Sequence, residues 1–231
     1  MQKQIDENTK FFFIHIPKTG GTTLRHILYN YFDSELIYPN KIDLQRNGGK
    51  YLTQKELIKN PQVLNSKKII FGHYGYNFKE ILGENVVTIT FFRNCISRTL
   101  SHVNHLRRQG KIEHDSMNSI DFLKNISNIQ SKFMGYTPGK DNYNTAKTNL
   151  SKIDIICITE YFKESLELIN KTLSWNLKSI NPLNDHSNNY FNVNNKIISD
   201  IIYTNYQDFT LYHSARNIFN KQVNLNCNVS I

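Results

Sequence analysis

Four apolar runs punctuate the chain: FFFIHI at 11–16, KIIF at 68–71, VVTITFF at 86–92 and IDIICIT at 153–159. They are rich in Ile, Val, Phe and Thr and nearly continuous rather than alternating, the pattern of strands covered on both faces, as in a parallel sheet. Between them apolar residues recur at helical spacing. Leu24, Ile27, Leu28, Tyr31 and Phe32 fall at i, i+3, i+4, i+7 and i+8 and predict a helix over about 22–32 whose stripe packs back on the first strand. Thr53 followed by Glu56 reads as a capping box for a short helix at 54–59. Ile96, Leu100 and Val103 mark a helix beginning just after Arg93, and Phe162, Leu166, Ile169 and Leu173 another over 161–173. Two more helices are predicted near 119–134, and one with a single break over 196–220. Residues 34–50, 110–118, 135–149 and 176–195 read as polar, turn-rich connections. Strands alternating with helices predict an α/β fold with right-handed crossovers. No repeat or linker divides 1–231, so a single domain is expected.

Charge changes the picture in one respect. The formal net charge of +9 favours an anionic partner such as phosphate, sulfate, an acidic polysaccharide, nucleic acid or a membrane surface, although a solvated basic surface gives the same number. No apolar run approaches the length of a membrane span, and the start MQKQIDENTK lacks the basic-then-apolar order of a secretory signal, so a cytoplasmic protein is expected. Cys95, Cys157 and Cys227 are odd in number and far apart, which writes no disulfide framework; Cys95 and Cys157 sit in or beside apolar segments and read as buried thiols.

The first apolar run breaks abruptly into PKTGGTTL at 17–24. Strand, Gly-containing loop and helix together present backbone N–H groups and a positive helix end to a phosphate. Gly20 and Gly21 allow close approach of a ligand, Lys18 supplies a mobile charge, and Thr19, Thr22 and Thr23 offer hydroxyls. The competing reading is a tight turn whose threonines cap a helix. The loop is not the usual nucleoside-triphosphatase one: Gly49-Lys50, Gly110-Lys111 and Gly139-Lys140 are followed by Tyr, Ile and Asp, so GxxxxGK[ST] is absent. The strand at 86–92 ends in Arg93 where a Mg²⁺-holding Asp would be expected. A P-loop small-molecule kinase or other phosphotransferase is therefore the alternative, and a metal-free reaction on a phosphate-like group fits better. A nucleic-acid binder finds no aromatic-basic motif in its favour.

IPKTGGTTL resembles the 5'-phosphosulfate loop of the carbohydrate sulfotransferases, above all the heparan sulfate 2-O and 6-O branch, whose motif reads PKTG(G/S)T. FFRNCISRTLSH resembles that family's 3'-phosphate site, with Arg93 and Ser101 at the phosphate-holding positions and Arg98 at the second arginine; Asn94 and Cys95 stand where the family has Asp-Pro. FGHYGY at 71–76 resembles the Gly-His strand end that carries the family's catalytic histidine, here His73. More loosely, ITEYFKESLELI (158–169), NPLNDHSN (181–188) and DFTLYHSARNIF (208–219) resemble its late strand and helix, its nucleotide loop and its terminal helix.

The resemblance implies a P-loop-like three-layer sandwich, a central parallel sheet flanked by helices. It further implies transfer of a sulfonate group from 3'-phosphoadenosine 5'-phosphosulfate to an acceptor hydroxyl on a saccharide, without a metal. His73 would be the base and Lys18 would stabilise the bridging oxygen. Thr19, Gly20, Gly21, Thr22 and Thr23 would hold the sulfonate and 5'-phosphate, and Arg93 and Ser101 the 3'-phosphate.

His15, inside the first run, reads as a packed residue. His102 and His105 share a helix face with no third metal ligand evident and could line the acceptor cleft. Arg98, Arg107, Arg108 and Lys111 form a basic trail that suits an acidic acceptor or a solvated helix equally. Tyr74 and Tyr76, beside His73, fit either a sugar platform or the core.

Overall fold

The computed structural model describes residues 5–135, 142–180 and 193–227. Strands β1 (Lys10–Ile14), β2 (Ile37–Tyr38), β3 (Ile69–Gly72), β4 (Val86–Phe92) and β5 (Ile155–Ile158) form one all-parallel sheet in the order β2-β3-β1-β4-β5. Every strand residue except Lys10 is buried, which explains why the runs are apolar without alternation. Around the sheet lie α1 (Gly21–Tyr31), α2 (Lys41–Arg46), α3 (Gln54–Lys59), α4 (Cys95–Arg108), α5 (Ile120–Asn125), α6 (Ile129–Gly135), α7 (Asn142–Leu150), α8 (Phe162–Leu173), α9 (Asn195–Thr204) and α10 (Tyr206–Cys227). The result is the α/β three-layer sandwich expected.

The helix stripes do what their spacing predicts. Leu24, Ile27 and Leu28 of α1 and Leu166, Ile169 and Leu173 of α8 enter the main core with the strands, while Tyr31 stays exposed. Leu100 and Val103 of α4 enter a second apolar cluster with Leu123 and Ile201, and Ile96 packs against it. The box at α3 is present in full, Thr53 and Glu56 each bonding the other's backbone N–H.

Three elements fall in stretches read as connections. Two-residue β2, with both side chains fully buried, is too short for any periodicity to register. Short α2 is nucleated by a capping box of Asn40 and Asp43. Polar α7 buries Ala146 and Leu150, too few apolar positions to draw a stripe. Two strands are also shorter than their runs. β1 ends at Ile14, where Ile16 N–H turns back to the Ile14 carbonyl at 3.1 Å. β5 begins after Asp154, whose carboxylate accepts from the Thr88 N–H at 2.8 Å and hydroxyl at 2.7 Å. The break between the last two helices falls at Asn205, whose side-chain oxygen accepts from Asn128 N–H.

One buried carboxylate ties the periphery to the sheet. Asp208 of α10 is fully buried and accepts from Gln130 N–H at 3.0 Å, Ser131 N–H at 2.7 Å and the Ser131 hydroxyl at 2.8 Å, at the start of α6. The Gln130 side chain then pairs with both backbone groups of Arg93, each at 2.9 Å, at the end of β4. Asp208→Ala would leave these donors unpaired and remove a negative charge near the buried Arg98. It should lower unfolding free energy by about 3 kcal/mol. Urea denaturation checks this, and a loss below about 0.5 kcal/mol, the scale of an ordinary surface change, would contradict it.

Candidate active site

The parallel pairing brings the ends of β1, β3 and β4 to one edge of the sheet, the usual place for ligands in open α/β sheets. From β1 the chain enters a loop at 15–20 with two residues in the left-handed region, Lys18 at φ 70° and Gly20 at φ 90°. For Lys18 that conformation costs about 1–2 kcal/mol, so the surroundings must hold it. Arg93 Nη1 donates to the Lys18 carbonyl at 3.2 Å. The Thr159 hydroxyl is placed against two carbonyls, Thr19 at 2.9 Å and Phe92 at 3.1 Å. Thr19 itself is buried and its hydroxyl donates to the Ile16 carbonyl at 2.9 Å. Thr19 therefore builds the loop, and its hydroxyl is not free for a ligand as the sequence reading had it. Helix α1 follows at once, with Gly20 as N-cap, no side-chain cap and no acidic residue in the first turn. The first-turn N–H groups of such a helix seek an acceptor from outside. Thr22 is exposed there and Thr23 buried.

Cations gather beside this helix end. Burial, then the charges of Arg108 and Arg93, press the Lys18 amine below its usual range. On α4, burial and the charges of Arg98, His105 and Lys18 push His102 down to about 4, and burial and Lys18 lower His105 as well. Among the described residues neither Lys18 nor Arg108 forms an ion pair. The motif's departure at Asn94 and Cys95 is accommodated. The Asn94 side chain caps α4, accepting from Ile96 N–H at 3.0 Å and Ser97 N–H at 3.3 Å, and Cys95 is buried in the first turn, its thiol pushed up to about 11. Ser101 is half-buried in the second turn of the same helix.

Arg98 does not belong to the exposed trail. It is fully buried, with Nη2 donating to the Ile126 carbonyl at 2.8 Å and to the Thr99 hydroxyl, while Nε and Nη1 have no hydrogen-bond partner among the described residues.

At the end of β3 stands His73, whose Nδ1 lies 2.8 Å from the His15 carbonyl oxygen. A carbonyl only accepts, so Nδ1 carries the proton and Nε2 keeps its lone pair. Burial presses His73 below the ordinary imidazole value, the His15 carbonyl opposes this, and the Arg25 charge adds to it. The ring lines a cavity of about 440 Å³ with His15, Thr22, Arg25, Tyr51 and Gln54, and no Asp or Glu is among the lining residues. Thr22 at the start of α1 and His73 thus line one cavity, while Lys18, Gly20 and Arg93 are not among its lining residues.

The glycine before His73 has a packing cause: a Cβ on Gly72 would lie 2.3 Å from the Tyr74 ring. Tyr74 is buried, stacks on Phe78 at 4.5 Å and donates to the Leu52 carbonyl at 3.0 Å; Tyr76 is buried too. Both belong to the core, although one edge of Tyr74 reaches the cavity.

His15 is not an interior strand residue. It stands just past β1, on the cavity wall, its ring stacked on His73 at 4.3 Å and 25°. Arg25 and Tyr51 were missed in the sequence. The guanidinium donates to the phenol oxygen and sits 5.8 Å over its ring. Arg25 occupies a polar position of an amphipathic helix and Tyr51 a loop, and neither pattern distinguishes a cavity wall from solvent. His102 and His105 gain no third metal ligand among the described residues. The 181–188 segment lies outside them.

Neither a scan against protein-family models nor a search of curated proteins returns a match. No helix among the described residues is long and apolar enough to cross a membrane.

His15, His73 and His102 are all held neutral by the fold. Below the unfolded imidazole pKa of about 6.5 the unfolded chain binds protons that the folded chain refuses. Stability is therefore full above that pH and is lost as pH falls toward the folded values, about 4 for His102. The thermal midpoint should be flat from about pH 7 to 8 and fall steadily from about 6.5 downward, with His102→Gln flattening part of the acid slope. A midpoint that rises on acidification over this range would contradict the lowered titration of these imidazoles.

Proposed function

We propose that the protein transfers a sulfonate group from 3'-phosphoadenosine 5'-phosphosulfate to a hydroxyl of a saccharide, with His73 as general base. The observation that carries this is the state of His73. A neutral imidazole with Nδ1–H bound to a backbone carbonyl and a free Nε2 lone pair lines a cavity that also holds Thr22 of the Gly-rich helix start. The sequence likeness of PKTGGTT and RNCISRTLS to the two donor motifs supplies the donor's identity, and Lys18 and Arg108, which form no ion pair among the described residues, would meet its negative charge.

In this reading the acceptor oxygen attacks sulfur as its proton passes to Nε2. The new O–S bond forms while the S–O bond to the 5'-phosphate breaks, and the electron pair leaves on that phosphate. The Lys18 ammonium meets the charge that develops on the leaving oxygen, and the N–H groups at the start of α1 hold the sulfonate and 5'-phosphate. Arg93 and Ser101 take the 3'-phosphate. Threonine and glutamine hydroxyl and amide groups beside the exposed Tyr51 give the cavity the mix of hydrogen-bonding and flat apolar surface that suits a sugar ring.

Transfer of labelled sulfonate to a saccharide panel tests the reading. His73→Ala should lower kcat by about 10²–10⁴-fold with donor affinity kept. Lys18→Ala should lower kcat by about 10²–10³-fold, the scale of one lost transition-state contact. Arg93→Ala should chiefly weaken the donor, and it also frees the Lys18 carbonyl. Because His73 titrates below its ordinary value, the acid limb of kcat/KM should lie below about pH 6.5, with full activity at neutrality. Near-normal turnover of His73→Ala would remove the base assignment, and phosphoryl transfer from ATP in place of sulfonate transfer would remove the whole reading.

A further inference from the structure

We propose that the imidazole ring of His15 is a positioning residue for the base, wedged between the first residue of α1 and His73 so that the donor loop and the base are set by one side chain. This rests on the reading of His73 as base. The backbone at His15 is clamped to the end of β3 twice: its N–H donates to the Gly72 carbonyl at 3.0 Å, and its carbonyl accepts from His73 Nδ1 at 2.8 Å. Its ring is then stacked on His73 at 4.3 Å and 25°, and lies 4.6 Å from the Phe71 ring. On the other side it touches Gly21 so closely that a Cβ there would sit 1.9 Å from His15 Nε2. Gly21 is thus needed for the ring as well as for any ligand.

The carbonyl alone would fix one hydrogen bond and leave the His73 ring to pivot about it. The stacked ring removes that freedom and shields one face of His73 from water. The groups facing the pair are Arg25 from α1, Lys18 from the loop and the apolar edge of Phe133 from α6. None of these neighbours favours a proton on Nε2 before the acceptor arrives. When the acceptor proton does pass to Nε2, Nδ1–H stays on the His15 carbonyl, which stabilises the imidazolium. No second proton transfer is needed.

The experiment follows His73 by ring ¹⁵N NMR in the full chain, assigned through His73→Gln, alongside sulfonate transfer, for wild type, His15→Phe and His15→Ala. Wild-type His73 should show a protonated Nδ1 and a free Nε2 at pH 7. His15→Ala, which keeps the carbonyl but loses the ring that holds His73 against it, lets the imidazole swing off the carbonyl and should mix the tautomers and move the His73 titration up toward the ordinary imidazole value. Its kcat should fall by about 10²-fold, the scale of an ångström of misplacement, with donor affinity unchanged. His15→Phe, which keeps a flat ring, should retain both tautomer and rate to within several-fold. A wild-type Nε2–H tautomer, or a His15→Ala protein with wild-type tautomer, titration and kcat, would overturn the inference. Should His15→Ala fail to fold, loss of the tautomer in a folded His15→Phe would overturn it equally. Wild-type protein with the assigned tautomer but no sulfonate transfer would instead overturn the proposed reaction, since the NMR readout stands without turnover.

Discussion

Strand β1 is hydrogen-bonded on both sides, to β3 and to β4, and this double parallel pairing decides where every group with chemical potential ends up. Because the three strands run the same way, with Ile14 opposite Gly72 and Thr90, their exits lie side by side at one edge. The loop of Lys18 leaves from the middle, His73 from one flank and Arg93 from the other. No long side chain has to span the sheet. Arg93 reaches the Lys18 carbonyl directly and His73 reaches the His15 carbonyl directly, so both flanking strands grip the backbone of the central loop.

That grip makes an unfavourable conformation affordable. A lysine in the left-handed region costs about 1–2 kcal/mol, and the loop meets it with the Arg93, Thr19 and Thr159 hydrogen bonds, each contributing about 1 kcal/mol net. The same contacts engage the loop's carbonyls, and α1 starts without a side-chain cap or an acidic residue in its first turn, which is the polarity an anion requires. Support extends past the sheet. The buried Asp208 orders the start of α6, Gln130 of α6 holds the Arg93 backbone, and Arg93 holds the loop. The site is thus anchored by a helix at the far end of the chain, which explains why a charge as expensive to bury as Asp208 lies in the interior.

The fold was legible wherever burial left a long trace. Four strands covered on both faces wrote four continuous apolar runs, and α1, α4 and α8 wrote clear stripes. Where an element is two residues long, like β2, or is started by caps rather than by an apolar face, like α2, periodicity had nothing to report. In the site the pattern is similar. The placement of Lys18, Arg93 and His73 just past strand ends was legible because strand ends are marked in sequence. The interior position of Arg98 and the stacking of His15 on His73 depend on tertiary contacts between residues 28 and 58 apart in the chain, of which local pattern carries no sign, and the Thr19 hydroxyl is taken by a carbonyl three residues back through a turn that residue types alone do not fix. Gly21 and Gly72 sit between the two cases. Their presence was visible, and their cause, a ring packed where a Cβ would be, emerges only from the fold.

The proposed reaction requires a donor site that recognises two phosphates of one nucleotide, and calorimetric titration of the full chain is its sharpest test. Adenosine 3',5'-bisphosphate should bind in a single site and adenosine 5'-monophosphate at least tenfold more weakly, a difference of about 1.4 kcal/mol for the lost 3'-phosphate contacts. Equal binding of the two nucleotides, or a preference for ATP with Mg²⁺ over the bisphosphate, would contradict it.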